Sequence, residues 1–263
     1  MTFGPGHHRD SLADWLRIRT QISWPYWSGA HPGAEAPAYG GVRDFFTTTR
    51  GSRDAEGTKQ ILTALDLALA DAAQGRRLSF DLMENWQRTV LHQPSALFRT
   101  EPAFAKGGLD RYGLPPSTPS LLESCLSESS QPELPLPSRA ARTYLDVLFF
   151  HPFEDGNARA AMLALAFVLA CEGAPLDQVP PLQATRWADD ADGAVDLAVL
   201  LGVLVTAAER RLSNGSKSRP EGGSQRGVQV AGLVAARVLR VRGQGTDREL
   251  RRQHHDSCRG WRE

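Results

Sequence analysis

Residues 148–165 read LFFHPFEDGNARAAMLAL, and this stretch gathers the residue types from which phosphate chemistry can be built. Pro152 disfavours helical geometry at His151, so a helix must end or bend there, and a second apolar helix begins a few residues later. Between them FEDGNAR places two carboxylates, a glycine, an asparagine and an arginine at a helix start. Backbone N–H groups at a helix start are unpaired and lie at the positive end of the dipole, which makes an anion site. Gly156 and the small Ala158 let phosphate oxygens approach the backbone, Asn157 suits the cap, and Arg159 adds a forked cation. A carboxylate beside a polyphosphate is a natural Mg²⁺ ligand, because that ion takes one or two carboxylates together with substrate oxygens. Phe153 is expected to turn inward and hold the loop on the core. His151 is placed to deprotonate an incoming nucleophile near neutral pH. Taken singly, each of these residues suits a plain inter-helix turn; in this order they point to chemistry.

The elements that must hold the loop are helical, since nearly every periodic segment before residue 213 repeats at helical spacing. SLADWLRIRTQISW begins at Ser11 with Leu12, Trp15, Ile18 and Ile22 on one stripe. Thr58 precedes KQILTALDLALADAAQ, with Gly75 where a residue past the C-cap would stand. Ser79 can cap FDLMENWQRTVLH, whose Leu82, Met83, Trp86, Val90 and Leu91 form an apolar face. Pro119 or Ser120 opens SLLESCLSES, Ser138 opens RAARTYLDVLFF, and AAMLALAFVLACEG follows the loop. The last segment, DGAVDLAVLLGVLVTAAERRL, is apolar on most sides and is expected to be buried. FRTEPAFAKGGLDRYGLPP, starting at Phe98, breaks the pattern, and Lys106-Gly107-Gly108 can turn a short hairpin there. Trp15, Trp24, Trp27 and Trp86 are expected to pack in the core or against this ribbon. The predicted class is all-α with one β-ribbon insertion.

The chain has 263 residues, 41% hydrophobic and 23% charged, with 30 basic side chains against 30 acidic ones. That balance leaves no whole-chain field to draw it to nucleic acid or a membrane. The longest apolar stretches, near 160–170 and 197–208, are read as shorter than the ~20 residues that span a bilayer. Cys125, Cys171 and Cys258 are odd in number and lack CxxC spacing, which argues against a disulfide scaffold or a zinc site and for a reducing, cytoplasmic interior. The N-terminus has no apolar core of signal-peptide length. His7-His8 and His254-His255 have no acidic or cysteine partners at ligand spacing. From Asn214 onward eleven Lys/Arg face five Asp/Glu, and the stretch opens in a Ser/Gly/Pro-rich run. Such a segment reads as a solvated, disordered basic tail in preference to a nucleic-acid arm. The expected organisation is an N-terminal helical segment at 1–40, a main domain at 41–213 and the tail at 214–263.

His151-Pro152-Phe153-Glu154-Asp155-Gly156-Asn157-Ala158-Arg159 resembles the signature of the Fic (filamentation induced by cAMP) family, His-x-Phe-x-[Asp/Glu]-Gly-Asn-[Gly/Lys]-Arg. Only Ala158 departs from it, and the resemblance is expected to span residues 40–210 while its specificity lies in this loop. It implies a Fic-type helical fold with a β-hairpin flap that clamps a target chain by strand pairing. His151 would match the base that activates a target hydroxyl and Asp155 the Mg²⁺ ligand. Gly156, Asn157, Ala158 and Arg159 would match the phosphate-binding nest, and Phe153 the hydrophobic anchor. Most members transfer AMP from ATP to Ser, Thr or Tyr of another protein, so ATP, Mg²⁺ and a protein substrate are the implied partners. Others use different donors or act as kinases, and lysine at position 158 typifies the kinase toxins. Many adenylylating members carry a second arginine where Met162 stands. Ser52-Arg53-Asp54-Ala55-Glu56-Gly57 fits the family's inhibitory-helix pattern, which would make Glu56 an inhibitory glutamate, although the arginine it pairs with is replaced by Met162. Three readings stand at this point: AMP transfer, a related phosphotransferase or other nucleotidyl transferase, and a nucleotide-binding module without turnover.

Overall fold

The structure, a computed structural model, describes residues 9–27, 40–50, 54–105 and 110–217. The terminal histidine pairs, Ser52-Arg53, the Lys106-Gly107-Gly108 turn and the tail from 218 onward lie outside the described residues. Eight helices and one two-stranded ribbon are present among those described: α1 (Ser11–Arg19), α2 (Gly40–Arg50), α3 (Ala55–Ala73), α4 (Phe80–Leu91), β1 (Ala103–Ala105), β2 (Asp110–Tyr112), α5 (Thr118–Ser127), α6 (Leu136–Phe150), α7 (Asn157–Cys171) and α8 (Ala191–Lys217). The architecture is therefore mostly helical with a small antiparallel hairpin, in the register Ala103↔Tyr112, Phe104↔Arg111 and Ala105↔Asp110.

α7 is the centre of the molecule. Its run from Ala160 to Leu169 is buried on every side, as a helix apolar all round must be. α6 and α3 flank it, α4 leans on α3, and α8 covers the far side of α6. Burial of α7 fixes the direction in which its N-terminus, and hence the FEDGNAR loop, points out of the core.

Several boundaries differ from the sequence expectation. α1 stops at Arg19 and does not run on to Trp24: Arg19 turns into the core, where its guanidinium pairs with buried Asp146 on α6 at 2.7 Å. Trp15 Nε1 donates to the same carboxylate at 2.8 Å. α3 begins at Ala55, before Thr58, because the Asp54 carboxylate accepts from Gly57 N–H and caps it. α6 starts at Leu136, since Pro137 is accepted in the first turn, where its missing N–H costs nothing. α2, GGVRDFFTTTR, is a helix that the sequence reading left out. Its Val42, Phe45 and Phe46 are buried, and a Cβ at Gly41 would stand 2.1 Å from the Asp177 backbone, so only glycine allows that approach.

α8 requires two corrections. It is not buried on most sides, for Val199 and Val203 are 40% and 38% exposed. Ala191–Asn214 is also long and apolar enough to cross a membrane by length and composition, against the expectation that the apolar stretches are too short. Its inner face (Ala194, Leu197, Leu201, Val205) packs into the core beside α6.

Candidate functional site

α6 ends at His151, which adopts the left-handed conformation (φ 49°, ψ 56°) while its N–H still donates to Val147 O. A non-glycine residue there carries strain of about 1 kcal/mol or more, so other contacts must hold it. Pro152 then forbids a return to helix. Phe153 is buried and stacks on Phe80 at a centroid distance of 5.3 Å. The Asn157 side chain closes the loop from within, accepting from Phe153 N–H at 2.9 Å and donating to Phe153 O at 2.8 Å. Asn157 is thus the first residue of α7 and not its cap, as the sequence had suggested. The N-cap is Gly156, at φ 75°, and no side chain caps the helix. The first-turn N–H groups of α7 accordingly have no capping side chain to occupy them.

Gly156 has a geometric reason. A Cβ there would lie 2.5 Å from Gln87 Nε2 and 2.8 Å from the Arg159 guanidinium. Gln87, buried on α4, donates to Asp155 O at 2.7 Å and pins the peptide that precedes the glycine. The Asp155 carboxylate accepts from Gly156 N–H and pairs with Arg159 at 3.0 Å. Asp155 and Glu154 are exposed, Arg159 is buried and Ala158 half-buried. The loop therefore presents an exposed carboxylate paired with Arg159, a small residue and a helix start without a side-chain cap.

His151 is half-buried. Its ring stacks on Tyr112 of β2 with centroids 4.4 Å apart and planes within 14°. Nδ1 lies 3.4 Å from Leu148 O, and the Nδ1–H tautomer leaves the Nε2 lone pair unused. Burial pushes the imidazole from 6.5 down to about 4; the Leu148 carbonyl opposes this, Arg99 adds to it, and Asp155 and Asp110 oppose it weakly. The ring is neutral at pH 7, the form a general base needs.

The structure brings His151, Phe153, Asp155, Gly156, Asn157, Ala158 and Arg159 together in one turn. Glu56 is exposed in the first turn of α3, and among the described residues its side chain makes no hydrogen bond or ion pair. Met162 is fully buried in α7. Three residues that position the loop were not anticipated from sequence: Gln87, Arg99 and Tyr112. Gln87 left a trace, being a polar residue inside the α4 stripe. Arg99 and Tyr112 left none, because their partners lie about 50 and 40 residues away in sequence.

Residues 77–169 match the model of the Fic/DOC family. No curated protein matches the sequence. Among solved structures, a Fic domain containing signaling protein from Bacteroides thetaiotaomicron VPI-5482 shares the fold, with a TM-score of 0.51 and 20% identity over 69% of this chain and 83% of that one. Looser likenesses are a variant of IbpAFic2 in complex with adenylylated Cdc42 (TM-score 0.49, 15% identity, 79% of this chain and 72% of that one) and Fic-1 from C. elegans (TM-score 0.46, 16% identity, 79% and 72%).

Proposed function

With residues 77–169 forming a Fic/DOC-family segment on a Fic-type helical fold, we propose that this protein transfers AMP from ATP to a Ser, Thr or Tyr hydroxyl of another protein. The observation that carries the reading is a single turn in which a neutral histidine, an exposed carboxylate and an uncapped helix N-terminus follow one another within nine residues. His151 Nε2 takes the proton of the target hydroxyl, whose oxygen attacks the α-phosphorus while the bond to pyrophosphate breaks. The first-turn N–H groups of α7 and the Arg159 guanidinium face the charge that spreads over the phosphate oxygens. Gly156 keeps the backbone bare so that the phosphate can approach.

The residues present fit Mg²⁺ carried in on phosphate oxygens. Asp155 offers one exposed carboxylate, and among the described residues no group of three or more His, Cys, Asp or Glu gathers into a protein-only cage. Bound there, the ion would neutralise charge on the polyphosphate, and Asp155 would hold it. Nucleotide binding without turnover is the second reading, favoured by Met162: the turn after Arg159 supplies a buried thioether and no cation. The test is the mass of the adduct on a protein incubated with the enzyme, ATP and Mg²⁺. An AMP-sized gain that vanishes with His151→Ala, in a variant that still binds nucleotide, supports the proposal; nucleotide binding by wild type with no adduct on any protein overturns it.

A further inference from the structure

The flap and the histidine are held by one set of contacts. Arg99, itself buried, spreads its guanidinium over four carbonyls: Nε donates to His151 O at 2.8 Å, and the terminal nitrogens to Glu101 O at 2.6 Å, Gly113 O at 2.6 Å and Phe150 O at 3.3 Å. Its own N–H donates to Pro152 O at 2.9 Å. Glu101 lies just before β1 and Gly113 just after β2, so one side chain ties both feet of the ribbon to residues 150–152. Tyr112 completes the link by stacking on the His151 ring from β2. The outer side of β2 is anchored in turn by Asp10, which accepts from Gly113 N–H at 3.0 Å and pairs with Arg111 at 2.8 Å while capping α1.

We infer that Tyr112 and Arg99 are positioning residues that make the flap and the His151 imidazole a single unit, so that the base is aligned only when the ribbon is seated. This rests on the reading of His151 as the base. His151 occupies a strained left-handed position, and a residue held there needs its carbonyl and ring fixed from outside. Arg99 fixes the carbonyl and Tyr112 the ring. The groups that face the imidazole are Tyr112 and Asp110 from β2, Arg99 from the segment before β1, Leu148 O from α6 and Asp155 from the loop. A target segment that shifts the ribbon therefore also shifts the ring that must take its proton.

Tyr112→Ala removes the stack, and Tyr112→Phe keeps it. Arg99→Met, which removes four hydrogen bonds, is the variant at risk of not folding, so the tyrosine pair carries the test. Two quantities are read: the His151 ring-proton signals by NMR across a pH titration, and kcat and KM for transfer. For Tyr112→Ala the His151 titration midpoint rises by about one unit or more toward the ordinary value as water reaches the ring, and its upfield ring-current shift is lost. The kcat falls about tenfold with the KM for ATP little changed, the signature of misplacement and not of lost binding. Tyr112→Phe restores the midpoint, the shift and most of kcat. A folded Tyr112→Ala protein with the wild-type midpoint, ring shift and kcat overturns the inference. If wild type transfers nothing, the proposed function falls alone, and the NMR comparison still decides whether the flap holds the histidine.

Discussion

Under the proposed transfer, burial of His151 predicts a rate that tolerates acid better than the fold does. An unperturbed histidine at 6.5 would be only about 9% neutral at pH 5.5, whereas one held near 4 is about 97% neutral. Transfer measured as kcat/KM should therefore stay nearly flat from pH 7.5 to 5.5 on its acid side, where an ordinary histidine would give about a tenfold loss. Stability moves the other way. The folded-state pKa lies below the unfolded value, so between about 4 and 6.5 the unfolded chain binds the additional proton. The burial of neutral His151 is then fully tolerated above pH 6.5, and stability declines as pH falls toward 4, by up to about 3 kcal/mol. Urea midpoints at pH 7.0 and 4.5 for wild type and His151→Gln isolate this, because the glutamine variant lacks that part of the slope. An acid limb with an apparent pKa between 6 and 7, together with identical slopes in both proteins, would refute the burial argument.

Three further outcomes follow from the loop and its supports. Gly156→Ala forces a Cβ against Gln87 and Arg159 at a left-handed φ, so it should cost about 2–4 kcal/mol in urea unfolding and weaken nucleotide binding in calorimetry; an unchanged midpoint would show that the loop relaxes freely. Met162→Arg places a cation without a partner in the core and should destabilise by roughly 3–5 kcal/mol, so any gain in ATP affinity from a second arginine must come at the expense of the fold; a wild-type melting curve would mean the side chain escapes to the phosphate side. Glu56→Gly should leave the transfer rate within about twofold, as exposed Glu56 has neither an ion pair nor the arginine partner its family pattern requires; a large activation would mean that another cation answers it.

The loop was legible because its chemistry is local: His151 to Arg159 are consecutive, and the helix-ending proline and flanking apolar runs are visible in the same string. α4 and its Ser79 cap were legible for the same reason, as the cap and the stripe sit within one helix. What escaped was non-local or locally discouraged. α2 was hidden by two glycines and three threonines, poor helix formers, and exists because Val42, Phe45 and Phe46 reach the core. Arg19, the last residue of α1, bonds to Asp146, more than 120 residues away. Arg99 carries no local sign of its role, because its four carbonyl partners come from three separate stretches of chain. Exposure along α8 escaped because composition counts apolar residues without saying which face has a neighbour.

Transfer from ATP labelled at the α-phosphate, compared with ATP labelled at the γ-phosphate, tests the central claim most directly. In a lysate supplied with Mg²⁺, the account predicts that α-label, and not γ-label, becomes fixed to protein by wild type. His151→Ala should fix neither while still binding nucleotide. Protein that acquires γ-label alone would make this a phosphotransferase, and α-label fixed equally by His151→Ala would remove His151 from the chemistry.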